Sequence, residues 1–364
     1  MSAFACWTPE PLARDVRAAI ERLCRSDGVR RVAVMPDVHL AGDVCIGVVT
    51  ATERVLYPQA VGGDIGCGVA TLRLEGTDVD AVTPAAAERL LVLLRERVPI
   101  VRRAAPCEVP VEDLDVLPLR ARTRRDLDVE FGTVGRGNHF VELQVDEEGA
   151  LWLAVHSGSR ALGPALRAVF VGEDPPRLVP LADDGDGHHY RMAHDVAVAF
   201  AQANRRALAE AAVSAFVEVL GARADWTTWC DVVHNFVRRE EHFGEELWVH
   251  RKGACSAREG EPGVIPGSMG TATLHVTGRG EATSMCSSSH GAGRCLPRGA
   301  ARRAIGVRRF QRDVDGVWFD RRLTARLLDE APSAYKDIDK VMRAQRDLVR
   351  ITRRLRPVLV HKGA

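Results

Sequence analysis

No stretch of the 364-residue chain approaches the roughly 18 consecutive apolar residues that a membrane helix needs. The opening segment, MSAFACWTPEPLARDVR, lacks the basic start and apolar run of a secretory signal. Charge of neither sign dominates: 50 Lys+Arg stand against 49 Asp+Glu, a net of +1. No global basic field announces nucleic acid, although a balanced total can still contain a local basic groove. CxxC pairs are missing, and the nine cysteines are odd in number and scattered over a long chain. A disulfide scaffold is therefore excluded, and a reducing, cytoplasmic setting is expected, in which a cysteine is a core residue, a nucleophile or a metal ligand. No GxxxxGK[ST] phosphate loop occurs. The composition, 46% hydrophobic and 27% charged, supports a core of full size and excludes disorder, collagen and coiled coil.

Periodicity predicts a helix over 11–26, strands over 29–39 and 45–55, and a glycine-rich turn in AVGGDIGCGVATLRL. A helix is expected over 83–99, with Thr83 as N-cap and Pro84 in its first turn. Residues 105–128, rich in Pro, Asp and Arg, read as irregular. FVELQVDEEGALWLAVHSGSR reads as a hairpin, 190–220 as a long helix, LWVHRKGA as a strand entering a loop, and the tail from about 322 as helical. There is no internal repeat and no long linker. Polar motifs recur from residue 37 to residue 290, which favours one composite site over independent modules.

The chemistry-bearing residues lie in VGGDIGCGVA, GTVGRGNHFVEL, AVHSGSRALG, WVHRKGACSAREG and SSSHGAGR. Each places a soft or borderline ligand beside small residues, which leave room for a metal or a phosphate. Asp64 and Cys67, three residues apart on a tight turn, can face one cation. Thiolate, imidazole and carboxylate together suit Zn, Mn, Fe or Co better than Mg. Singly, Asp64 and Cys67 are ordinary turn and core residues, and His139, His156 and His250 ordinary core or loop histidines. The five segments together are harder to obtain by chance. His188, His189 and His194, and likewise His242, His275 and His361, read as surface or helix-start residues. Ser157–Arg160 and Pro266–Thr271 offer hydroxyls and backbone N–H groups to anions.

Taken in order, MPDVH, GGDIGCG, GRGNHFVE, VHSGSR, DVVHNFV, HRKGA, IPGSMGT, SSSHGAGR, APSAYKDID and the terminal HKG resemble the RtcB family of RNA ligases. The resemblance spans most of the chain. It implies a single α+β domain over residues 1–364, with packed mixed sheets, flanking helices and a central metal cleft. It implies joining of RNA ending in a 2′,3′-cyclic phosphate or 3′-phosphate to RNA with a 5′-hydroxyl, using GTP and two Mn²⁺ ions. An archease-type activator is a candidate partner. On this resemblance Asp64, Cys67, His139, His156 and His250 match the metal ligands, with Cys67 bridging. His290 matches the histidine that becomes guanylylated, and Asp37 the aspartate that orients it. Asn138 and Arg294 match phosphate contacts, Glu142, Thr273 and Lys362 guanine contacts, and Tyr335 the ring stacked on the base. Arginines such as Arg160, Arg258 and Arg294 are expected to take RNA backbone. The usual PDVHxGxG reads PDVHLAGDVCIG here, so Ala41 and Asp43 alter the loop near Asp37 and His290, and the chain is short for the family. A cyclic phosphodiesterase that does not ligate and a non-catalytic RNA-binding homologue are the rival readings.

Overall fold

The computed structural model describes residues 4–102, 109, 114, 119, 121–172 and 177–363. It is an α+β fold built on two large sheets. A five-stranded sheet runs in the order Ala5–Cys6, Val29–His39, Ile46–Thr52, Glu245–Lys252, Asn235–His242. The larger sheet runs Pro262–Ile265, Thr273–Gly278, Val349–His361, Phe140–Val145, Ala150–Ser157, Gly68–Asp78, Arg223–Val233, with Trp318–Phe319 paired off its path.

Local sequence explains most elements. The helix Pro84–Arg97 begins where Thr83 Oγ1 accepts from the Ala86 N–H, and proline occupies its first turn. In the hairpin of Phe140–Val145 and Ala150–Ser157, Asp146 Oδ1 accepts from the N–H groups of Glu148 and Ala150 and so closes the turn. The helix Asp186–Leu220 buries Tyr190, Ala193, Ala197, Phe200, Asn204, Leu208, Ala212 and Phe216, a stripe at three- and four-residue spacing. It stops at Gly221, whose φ of 66° is the left-handed conformation of a helix end. No helix among the described residues is long and apolar enough to cross a membrane.

Several expectations are corrected. The tail is largely not helical: after the short helix Ile338–Ala344, the strand Val349–His361 lies inside the larger sheet between Thr273–Gly278 and Phe140–Val145. Its arginines sit mostly on exposed positions, while Leu355, Val358, Leu359 and Val360 are buried. Pro357 falls at a register shift, where a missing N–H is tolerated. Ala121–Glu130 is a helix, so the irregular reading of 105–128 fails at its end; most of 105–120, with Cys107, lies outside the described residues. His188, His189 and His194 lie at the start of the helix Asp186–Leu220, as expected, the first two exposed and His194 buried; His242 and His361 are buried and hydrogen-bonded rather than superficial, and His275 is half-buried against Trp152. The eight described cysteines are free thiols.

Candidate active site

The turn carrying Asp64 and Cys67 enters the strand Gly68–Asp78, and that strand pairs with Ala150–Ser157, which carries His156. His139 immediately precedes the neighbouring strand Phe140–Val145. Sheet pairing thus brings three separated segments to one end of the sheet. Cys67 Sγ lies 3.3 Å from His156 Nε2 and 3.5 Å from His139 Nε2, and His139 Nε2 lies 3.0 Å from Asp64 Oδ2. The Nδ1 atoms of both histidines donate to backbone carbonyls, His139 to Val134 and His156 to Asn138, each at 3.0 Å. Those bonds fix the tautomer and leave both Nε2 lone pairs aimed at Cys67, as metal-ligating imidazoles require.

His234 completes this group, although sequence reasoning assigned it no role. The ligand atoms of Cys67, His156 and His234 lie within 4.8 Å of one another, as do those of Asp64, Cys67 and His139. Two donor groups therefore share one thiol. The segment around His234 is clasped to the Asp64–Cys67 turn: His234 N–H donates to Cys67 O, Gly66 N–H to Asn235 O, and Asn235 Nδ2 to Asp64 O. His250 is a correction. Its Nε2 accepts from the Tyr57 N–H at 3.0 Å, and its Nδ1 faces the carbonyls of Thr50 and Trp248. Both ring nitrogens are spent in the core, so it has none to give a metal. The signal for His234 was its place in DVVHNFV, within the resemblance.

Burial explains the electrostatics of the cluster. It pushes the Cys67 thiol well up, reinforced by the Asp64 charge, and pushes His156 and His234 well down. For Asp64 burial acts upward, but the His139 ring beside it outweighs burial and holds the carboxyl below its usual range. Neutral imidazoles and a thiol that a cation would deprotonate form a donor set that fits a bound transition metal. Supporting residues are exacting. A Cβ on Gly158 would come within 2.2 Å of Asp64 Oδ1, while the Ser159 N–H donates to the same oxygen. Buried Arg205 pairs with Asp231 and donates to the carbonyls of Gly66 and Ser157, bracing the residues beside Cys67 and His156.

His290 follows the short strand Ser287–Ser289, and its ring lies 4.8 Å from that of His234. Wholly buried Asp37 binds it twice: Oδ2 is 2.7 Å from His290 Nδ1 and accepts from the His290 N–H at 3.2 Å. The other oxygen, Oδ1, is buried without a partner among the described residues. The carboxylate holds Nδ1 and leaves Nε2 free to act.

A cavity of about 1010 Å³ joins His290 to Asn138, Glu142, His156, Thr273, Arg294, Tyr335 and Lys362. Gln144 Nε2 donates to both Glu142 Oε2 (2.8 Å) and Thr273 Oγ1 (2.9 Å). Burial pushes Glu142 up to about 7. Glu330, missed in the sequence, organises the rest: its Oε2 accepts from Lys362 Nζ at 2.9 Å and from the Tyr335 hydroxyl at 2.8 Å. Arg294 is tied to Tyr335, Glu330 and the carbonyls of Leu296 and Asp329, so it is no freely exposed arginine. Arg160 is held by Thr133, and Arg258 pairs with Glu240; neither lines the cavity. The altered loop is anchored, with Asp43 paired to Arg167 at 3.0 Å and Lys252 donating to the carbonyls of Ala41 and Val44.

The family model described as "tRNA-splicing ligase RtcB" matches residues 20–116 and 108–363. The chain is 36% identical to the RNA-splicing ligase RtcB of Escherichia coli K12, over 98% of this chain and 96% of that protein. It is 30% identical to the tRNA-splicing ligase RtcB of Pyrobaculum aerophilum, over 91% of this chain and 87% of that protein. Identity to the RNA-splicing ligase RtcB of Mycobacterium tuberculosis is also 30%, over 92% of this chain and 97% of that protein. With its motifs in order along the whole chain, the protein belongs to the RtcB family.

Proposed function

We propose that residues 1–364 form one catalytic domain, a GTP-dependent RNA ligase that works in RNA repair or tRNA splicing in the cytoplasm. The observation that carries the reading is the Asp37–His290 pair beside the Cys67 cluster, with His290 lining the same cavity as Glu142, Thr273, Tyr335 and Lys362. Asp64, Cys67, His139, His156 and His234 would hold two Mn²⁺ ions, with Cys67 belonging to both donor groups. When bound, the ions would spread phosphate charge and favour in-line displacement.

The chain's own groups account for the remaining chemistry. Glu142 accepts from guanine N1–H and the 2-amino group, a donor pair adenine lacks, which favours GTP. Tyr335 presents a ring to the base, and Lys362 and Thr273 present donors. Asn138 and Arg294 line the same cavity and would contact phosphates. His290 Nε2 attacks the α-phosphorus of GTP; the Nε2–P bond forms as the bond to pyrophosphate breaks. Asp37 holds Nδ1–H and stabilises the charge that develops on the ring. A 2′,3′-cyclic phosphate is opened by water to a 3′-phosphate, whose oxygen takes GMP from His290. The 5′-hydroxyl of the second RNA then attacks that 3′-phosphorus and expels GMP. An archease-type activator is the protein partner this reading carries with it.

The test is incubation with α-labelled GTP and Mn²⁺. Acid-labile label on the protein, absent in His290→Ala, is expected. An unlabelled wild type that still opens cyclic phosphates would replace the ligase with a phosphodiesterase.

A further inference from the structure

The cavity contains a histidine that the reading above does not use. His39 lines it, together with Leu40, Ala41, Lys336 and Lys340. All five are half-buried or exposed. Glu142, Thr273 and Lys362 are buried, whereas His39 is half-buried and Leu40 is 50% exposed. A strand arriving from solvent therefore meets the Leu40 side before the buried Glu142 that would hold guanine.

His39 Nδ1 lies 3.0 Å from the carbonyl oxygen of Asp37. A carbonyl only accepts, so Nδ1 carries the proton and Nε2 the lone pair. Among the described residues no protein group bonds to that Nε2. Asp37 thus holds two imidazoles in one cavity, His290 through its carboxylate and His39 through its carbonyl. Lys336 braces the same segment by donating to the carbonyls of Pro36 and Val38. The charged groups facing His39 are Asp37, His290 and Lys336; burial, above all, pushes its imidazole down to about 4. At neutral pH it presents an acceptor and no charge.

The reaction sequence has a place for such an acceptor. His290 attacks through a lone pair and has no proton to lose at that atom. A hydroxyl nucleophile does. We infer that His39 Nε2 receives the hydrogen bond of the incoming RNA 5′-hydroxyl and takes its proton in the sealing step. This rests on the ligase reading above. The O5′–P bond forms at the 3′-phosphorus while the bond from that phosphorus to the GMP oxygen breaks. GMP leaves with the electron pair, and the hydroxyl proton moves to Nε2. The resulting imidazolium, disfavoured by burial, returns the proton to water. His39 is thereby a catalytic residue for sealing and not for guanylylation.

Two substitutions separate the steps, using RNA that already ends in 3′-phosphate so that ring opening is bypassed. His39→Asn keeps a donor near Nδ1 and removes the Nε2 acceptor. Protein labelling by GTP and transfer of GMP to RNA should stay within about twofold of wild type, while sealing falls about 100-fold or more. RNA capped with GMP at its 3′-phosphate should accumulate. His39→Gln, which can accept a hydrogen bond but no proton, should also seal slowly. Wild-type sealing by either variant would overturn the inference. So would a loss of labelling in proportion to sealing, since the effect would then run through Asp37 and His290. A wild type that takes no label would remove the ligase reading itself, and this inference with it.

Discussion

Asp37→Asn isolates the charge that serves His290. The carboxylate is completely buried, and its Oδ2 sits 2.7 Å from His290 Nδ1. When Nε2 attacks phosphorus, the ring becomes cationic, and the carboxylate stabilises that state. An amide of the same shape leaves a neutral acceptor. A charged hydrogen bond exceeds a neutral one by about 1–2 kcal/mol, and unit charges about 4 Å apart at a surface-like dielectric set a ceiling near 4 kcal/mol. A loss of about 2–3 kcal/mol lies between these limits. At about 1.36 kcal/mol per factor of ten, guanylylation should slow roughly 30- to 160-fold. The assay is single-turnover transfer of label from GTP, with metal content measured on the same samples. Asp37 belongs to neither donor group, so bound metal should be unchanged. Labelling within about threefold of wild type would refute the role given to the carboxylate, and so would loss of metal.

His234→Ala should lower metal content measured by elemental analysis. His250→Ala should retain metal but lower the unfolding free energy by about 1–3 kcal/mol, because the Tyr57 N–H loses a buried acceptor; metal loss in the second variant alone would reverse the assignment. Gly158→Ala should displace the Asp64 carboxylate, since the added Cβ would stand 2.2 Å from Oδ1, and weaken metal binding on the order of tenfold or more; unchanged affinity in a metal titration would contradict the packing. Glu142 is raised to about 7, and its ionised form is the one that accepts from guanine. GTP affinity should therefore fall as pH drops through about 7, and Glu142→Gln should bind weakly with a flat profile; a flat wild-type profile from about pH 6 to 8 would exclude Glu142 as the guanine acceptor. For stability the sign is opposite: the folded carboxyl titrates above its unfolded value, so ionising it costs stability as pH rises from about 4.5 towards 7.

Much of the site was legible in the chain. Aspartate, cysteine and histidine in glycine-flanked loops announce a transition-metal donor set, and long motifs in order announce a family. The Thr83–Pro84 helix start and the hairpin around Asp146 were equally readable, because caps and turns act over a few residues. Other features were not local. The arginine-rich segment before His361 looks like a charged helix face until Phe140–Val145 and Thr273–Gly278 pair with it on either side. His250 and His234 look alike as letters, since each directly follows a valine. What separates them is where sheet register and a clasped turn deliver each ring: one to the Tyr57 amide, the other to Cys67. Likewise Glu330, which holds both Lys362 and Tyr335, and His39, held by the Asp37 carbonyl, acquire their parts only through contacts between distant segments. Residue type and spacing state which chemistry is available. Long-range pairing decides which atoms meet, because a ring nitrogen spent on a backbone bond has no lone pair left for a metal or a proton.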